Sequence, residues 1–391
     1  MSDMWSLADM ADSVVYIYDL LVSEPLFMPI TDHSSWTPTT LIPRVGLRPS
    51  SLNTRERTFG RVMMEKYLLS TPVCHILETP RLMIDPGQLE AKAKEKLSEG
   101  GWYYASSNAG MSTTHLANRQ AFFRHRIIPR MLVDTNTRDT ATEIWGHKVA
   151  APIGFAPIGI NKIYNPLGEL PVAKVAEELN LPYCLSTAGS QPIEDVGKAN
   201  GNGPRFFQLY MPHDDGLTIS LLTRAHESGF TACILTLDTW QLGWRHNDVN
   251  NSNYAFYHGI GADLGLSDPV FQKRLKEAGI DPKTQLNEAG AMWIDNVWHG
   301  RAHTWEKTKW VMGEWKRISG GRPFALKGIQ DVRDAQKSVE MGVDGIVVSN
   351  HAGRQVDGAI ASLDALENIV AGTLPFFLLT PTLYFFLYVP E

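Results

Sequence analysis

With 391 residues, 43% of them hydrophobic and 20% charged, the chain can bury one large core and suits either a single barrel with insertions or two domains. A formal net charge of −6 and a pI near 6.1 exclude any general attraction to nucleic acid or to an anionic membrane surface. Cys74, Cys184 and Cys233 are too few and too scattered for a disulfide framework, and the last two sit in apolar runs where a buried, reduced thiol is expected.

The first basic residue is Arg44, behind Asp3, Asp9, Asp12 and Asp19, so the N-terminus lacks the positive region that a secretory or transit signal requires. A reducing, cytoplasmic setting is expected. Residues 1–80 show no clear periodicity and are expected to form an irregular N-terminal extension. From residue 151 onward, apolar runs alternate with segments of helical period. The strand candidates are APIGFAP (151–157), PYCLST (182–187), RFFQLY (205–210), ACILTLD (232–238), PFALKG (323–328) and GIVVSN (345–350). Between them, residues 168–181, 214–229 and 331–342 carry apolar side chains at i, i+3 and i+4. Nearly continuous apolar strands separated by helices imply a parallel sheet, either closed as a (β/α)8 barrel or open and doubly wound. No glycine-rich phosphate fingerprint follows the first strand, which disfavours the open dinucleotide-binding form.

The polar residues decide for a barrel. Gln208 and Tyr210 end one strand, Thr236 and Asp238 another, Lys327 a third, and Ser349, Asn350, His351 and Arg354 follow a fourth. In a barrel all these ends converge on one mouth, where residues distant in sequence can face one small ligand. The stretch between Asp238 and Pro323 exceeds a simple connection, and residues 246–320 are expected to form a lid over that mouth. The final run, LPFFLLTPTLYFFLYVPE, is broken by Pro375, Pro381 and Pro390 and is shorter than the ~20 residues a spanning helix needs, so no membrane anchor is expected.

Taken singly, these residues have ordinary explanations. His351 could be a satisfied loop residue, Arg245 and Arg354 surface ion pairs, Asp238 a helix N-cap, and Tyr210 a core tyrosine. Together they are harder to dismiss. Two arginines suit a bidentate carboxylate clamp, a histidine beside an aspartate suits a general base, and a lysine at a strand end suits stabilisation of an anionic ring.

The strings LKG, VSNHAGRQVDGA, FFQLY, LTLDTWQLGWR and APIGFAPIGI resemble the FMN-dependent 2-hydroxy-acid oxidase and dehydrogenase family, most closely its lactate 2-monooxygenase branch, over about Arg81 to Gly372. The resemblance implies a (β/α)8 barrel with FMN at its mouth and no metal. It makes His351 the base that takes a proton from a small 2-hydroxy acid, with Asp238 holding its charged form. Arg245 and Arg354 would clamp the carboxylate. Tyr210 and one of Tyr103 or Tyr104 would touch substrate. The backbone of Pro157, Ile158 and Gly159, with Ser186, Gln208, Thr236, Lys327 and Ser349, would hold the flavin. Gly159 stands where oxidase relatives carry alanine, and Ala352 where many relatives carry glycine.

A lactate-like acid and molecular oxygen are the implied partners, with oxidative decarboxylation of the product. The alternatives are an oxidase releasing keto acid and hydrogen peroxide, and an inactive remnant. After Gly372 the resemblance stops. The family's last βα unit, which cradles the FMN phosphate, is expected to be missing, leaving residues 374–391 as an apolar tail. An incompletely closed barrel, weak FMN retention and association with other copies are the corresponding expectations.

Overall fold

The structure, a computed structural model, describes residues 85–377 and the strands Val14–Tyr18 and Tyr384–Val389. Contacts divide the chain into two units, one of residues 22–95 and one of residues 1–21 with 96–391. Of the first, residues 85–95 are described, nearly all of helix Pro86–Lys96, at whose start Asp85 Oδ1 accepts from Gly87 N at 2.9 Å.

The second unit holds the barrel. Its strands are β1 (Val14–Tyr18), β2 (Thr142–Ile144), β3 (His147–Val149), β4 (Ile153–Phe155), β5 (Tyr183–Leu185), β6 (Arg205–Leu209), β7 (Cys233–Thr236), β8 (Phe324–Ile329), β9 (Gly345–Val348) and β10 (Tyr384–Val389). Strands β4 to β9 run parallel in sequence order and curl into a half-barrel. Helices Leu170–Leu179, Ile193–Ala199, Asp215–Glu227, Trp305–Ser319, Val332–Met341 and Ser362–Phe377 follow them in turn. Short polar side chains start several of these helices. Asp214 caps Asp215–Glu227 by accepting from Gly216 N at 2.8 Å, and Asp331 caps Val332–Met341 by accepting from Arg333 N at 2.8 Å.

The (β/α)8 class expected from the sequence is the fold observed, but the expectation of open edges is overturned. β10 lies parallel to β9, with Phe386 opposite Val347, and β1 lies parallel to both β10 and β4, with Tyr16 opposite Leu387 and Ile153. The ring is closed. The physical reason is that an edge leaves a row of N–H and C=O groups without ladder partners, and extended segments rich in β-branched and aromatic residues satisfy them. VVYIY and YFFLYV are such segments. One comes from the region expected to be irregular and the other from the expected tail. Apart from β1, the 1–80 extension lies outside the described residues, as do residues 378–383 of the tail.

Two apolar layers hold the barrel. Alternation sends Phe206, Ile234, Ala325 and Val347 to the interior, while Phe207, Leu209, Leu235, Leu326 and Val348 face the helices. Ile144, Trp145 and Val149, from the β2–β3 hairpin, join the interior cluster. Trp145 Nε1 donates to Asp344 O at 3.2 Å just before β9, so the hairpin plugs the N-terminal end. Burying each such large apolar side chain contributes about 1.5–3 kcal/mol.

The 246–320 segment, expected as a lid, supplies part of the barrel's outer layer. Its helix Trp305–Ser319 is the outer helix of the β7 unit, its N-cap Thr304 accepting from Lys307 N at 3.2 Å. Asp268 is anchored from outside the barrel by Arg224 of helix Asp215–Glu227, at 3.0 Å. Among the described residues, no helix is long and apolar enough to cross a membrane.

Candidate active site

Strand alternation builds the site in layers. Two residues beyond the interior side chains Cys184, Phe206, Ile234, Ala325 and Val347 stand Ser186, Gln208, Thr236, Lys327 and Ser349, each no more than 3% exposed. Two residues further stand Tyr210, Asp238 and His351, at the C-terminal mouth. The lower polar layer is a connected row. Gln208 Nε2 donates to Thr236 Oγ1 at 2.9 Å, and Gln208 Oε1 accepts from Ser186 Oγ at 3.2 Å and Thr187 N at 3.1 Å. Thr236 is the register partner of Lys327 on the neighbouring strand.

His351 follows β9 in a turn where His351, Ala352 and Gly353 have φ of 57°, 61° and 71°. Left-handed backbone costs the two non-glycine residues about 1–2 kcal/mol each. The turn is held by His351 N donating to Ser349 Oγ at 2.9 Å and by Gly353 N donating to Asn350 Oδ1 at 3.1 Å. His351 Nδ1 donates to Asp238 Oδ1 at 2.7 Å. Burial alone would raise the Asp238 carboxyl, but the facing His351 and Lys327, with hydrogen bonds from His351 and Thr239, hold it well below the usual carboxylate range. For His351 burial prevails over the attraction of Asp238, and Lys327 adds repulsion, so the imidazole is pushed down to about 4. At neutral pH the resting pair is a carboxylate beside a neutral imidazole, a general-base arrangement. Tyr210 OH lies 3.4 Å from His351 Nε2, and burial, then the charge of Asp238, raises its hydroxyl and keeps it protonated.

The two arginines converge beside this pair. Arg245 Nε donates to Arg354 O at 3.2 Å, and Arg354 Nη1 donates to Ser107 O at 2.7 Å with its guanidinium 5.1 Å from the Tyr104 ring centre. Burial, and then the like charge of Arg354, push Arg245 down to about 10, which leaves it charged at neutral pH. Adjacent guanidiniums held by neutral oxygens suit a carboxylate ligand.

Of the two tyrosines left open by the sequence, Tyr104 is the one brought to this place. Tyr103 OH donates to Glu99 Oε1 at 2.6 Å on the exposed side of helix Glu99–Ser106. Gly159 lies in the loop after Pro157 and Ile158, where a Cβ would stand 2.9 Å from Ala188 Cβ and 3.1 Å from Tyr104 OH. A cavity of about 30 Å³ beside Tyr104 and Arg245 is lined by Ile160, Leu242, Val249 and Phe256.

Several supporting residues escaped the sequence reading. Asn118 and Asn350 exchange amide hydrogen bonds at 2.9 and 2.7 Å, both buried, and no motif marks Asn118. Trp298 packs on Tyr210 with ring centres 5.4 Å apart. Glu169, fully buried, accepts from Ser190 N at 2.8 Å and Asn161 N at 3.2 Å, tying together the loops after β4 and β5. Thr239, next to Asp238, was visible only as part of a string.

Fold and layered site together define a parallel-barrel enzyme with its reactive groups at one mouth. The FMN-dependent dehydrogenase family matches residues 93–375, and the chain belongs to that family. It is 41% identical over 291 residues to the FMN-dependent alpha-hydroxy acid dehydrogenase of Penicillium citrinum, covering 74% of this chain and 71% of that one. It is 38% identical over 293 residues to the L-lactate oxidase of Lysinibacillus sphaericus, covering 74% and 73%. Among solved structures, mandelate oxidase matches with a TM-score of 0.61 at 29% identity, covering 73% of this chain and 74% of that one.

The cofactor is FMN, and the residues present fit its ring system. The buried row of Gln208, Ser186, Thr236 and Lys327 offers donors and acceptors to a planar polar heterocycle, and Gly159 presents backbone where a Cβ would already be crowded. The expected loss of the phosphate cradle concerns residues of which only the backbone of 374–377 and of β10 is described.

Proposed function

We propose that this chain oxidises a small L-2-hydroxy acid through FMN, and that a lactate-like acid is then oxidatively decarboxylated. The observation that carries the reading is the neutral His351, backed by the Asp238 carboxylate at 2.7 Å, beside the buried guanidinium of Arg245 and the half-buried one of Arg354. Arg245 and Arg354 bind the substrate carboxylate, and Tyr104 and Tyr210 orient it through their hydroxyls. His351 Nε2 accepts the substrate proton, and Asp238 stabilises the resulting imidazolium. FMN, when bound, would supply the two-electron oxidation of the substrate and the reduction of molecular oxygen. Pro157, Ile158, Gly159, Ser186, Gln208, Thr236, Lys327 and Ser349 are the residues that would hold it.

The 2-hydroxy acid loses two protons and two electrons to become the 2-keto acid, and oxygen gains them to become hydrogen peroxide. If both stay in the site, peroxide adds to the keto carbon, the bond to the carboxyl group breaks to release carbon dioxide, and the O–O bond breaks to release water. Lactate and oxygen then yield acetate, carbon dioxide and water. Gly159 supports retention, because the tyrosine hydroxyl can approach the backbone there. The small apolar cavity beside Arg245 supports a short substituent. A second reading, an oxidase that releases keto acid and peroxide, is favoured by the similarity to an L-lactate oxidase.

The test is product analysis with lactate, with FMN content read from the absorbance of the purified protein. Acetate and carbon dioxide are expected. Gly159→Ala should shift the products toward pyruvate and peroxide, since the added methyl must displace Tyr104 or Ala188. Stoichiometric peroxide from the unaltered chain would move it to the oxidase reading. His351→Gln should slow flavin reduction by about 10²–10⁴-fold while substrate still binds; unchanged reduction would remove the base assignment.

A further inference from the structure

Thr239 is 3% exposed and sits inside the His351–Asp238 pair. Its Oγ1 donates to Asp238 Oδ1 at 2.7 Å and lies 2.9 Å from His351 Nδ1, which is itself 2.7 Å from the same carboxylate oxygen. Three polar atoms thus form a closed triangle containing two protons. A carboxylate can only accept, so the hydroxyl proton points to Asp238 and the hydroxyl oxygen is left facing the Nδ1 proton. Asp238 Oδ2 has no hydrogen-bond partner among the described residues, so both bonds fall on Oδ1. Lys327 Nζ stands 3.5 Å from His351 Nδ1, a cation toward which a loosened carboxylate would turn.

We infer that Thr239 is the positioning residue of this pair, its hydroxyl keeping the Asp238 carboxylate turned to the imidazole and Nε2 turned to substrate. The inference rests on His351 acting as base. A threonine present only to fill space would be replaced without loss by valine, which has the same shape and no hydroxyl. A positioning threonine would not, and serine would restore its function. When His351 Nε2 takes up a proton, the Nδ1 proton that the Thr239 oxygen already faces becomes a stronger donor, so the hydroxyl contributes most after proton transfer begins.

The experiment compares the holoenzyme with Thr239→Val and Thr239→Ser by anaerobic stopped-flow reduction of the flavin with lactate across pH. Thr239→Val should slow reduction about 10–100-fold with substrate affinity little changed, and should move the acid limb to lower pH because the imidazolium loses an acceptor. Thr239→Ser should recover most of the rate. Wild-type rate and limb in Thr239→Val, or equal damage in Thr239→Ser, would overturn the inference. Histidine ¹⁵N spectra of the unaltered protein give a readout independent of folding of the variants. A neutral His351 protonated on Nδ1 is expected at pH 7, and one protonated on Nε2 would refute the arrangement. His351→Gln separates the two levels. If it reduces flavin at the wild-type rate, the base reading fails; if it is impaired while Thr239→Val is not, only the inference fails.

Discussion

Burial, rather than proximity to a carboxylate, controls the charge of His351. Its imidazole is pushed from an ordinary value of 6.5 down to about 4, with Asp238 resisting that shift. His303 is likewise pushed down to about 4, by burial and then by His299 and Lys307, its ring 5.5 Å from that of His299. Both folded values lie below the unfolded one, so as pH falls from 6.5 toward 4 the unfolded chain takes up protons that the native chain refuses. Stability is therefore lost across that window and the loss levels off below it. Chemical denaturation at a series of pH values should show the slope, and His303→Gln should reduce it without touching the base. In catalysis the same shift keeps the base ready, so kcat/KM should stay level from pH 7 to about pH 5. An acid limb near the ordinary histidine value would show that the imidazole is not held neutral.

At the scale of elements, the turn that presents His351 depends on a helix far away in sequence. Helix Thr113–Arg124 places Asn118 against Asn350, and the two amides bond reciprocally while Asn118 Oδ1 also accepts from Ser362 N at 3.0 Å. Asp357, downstream of the turn, accepts from Met111 N and Thr113 N, both at 2.7 Å, and so caps that helix where Ser112 makes no side-chain cap. The left-handed residues at 351 and 352 persist because these bonds over-determine them. Asn118→Ala removes one of the two partners at each end of the buried Asn350 amide and the acceptor of Ser362 N, and should lower stability by about 1–3 kcal/mol. It should also slow flavin reduction, since the turn carries the base. A variant with an unchanged unfolding midpoint would show that the pair does not hold the turn.

For the whole molecule, closure depends on β1 and β10, two strands drawn from opposite ends of the chain. In the ring, β1 bridges β10 and β4, and β10 bridges β1 and β9. A proline at Tyr16 removes one ladder N–H and disfavours continuation of the strand. Tyr16→Pro should therefore raise hydrogen exchange in β4 and β10, the strands on either side of the breach, while β6 and β7 across the barrel stay protected. Uniform exchange around the barrel, the same as in the unaltered chain, would mean that β1 does not support the closure.

Much of this was legible in the sequence because it depends on period and offset alone. Six apolar runs separated by helix-period segments define the parallel half-barrel, and alternation by two residues carries each interior side chain of β5 to β9 to a polar residue and, on β6, β7 and β9, then to a reactive one. Those are local regularities that any chain of this pattern must obey. Tertiary contact decided the rest. Tyr104 rather than Tyr103 meets Gly159 because the helix turns only one of two adjacent tyrosines to the mouth. Asn118, Asp357 and Thr239 acquire their roles from partners distant in sequence or from a triangle that exists only once the strands are registered. Closure by β1 and β10 was invisible for the same reason: an isolated run such as VVYIY has no periodic neighbour to announce it, and becomes a barrel strand only when two unpaired edges offer it their hydrogen bonds.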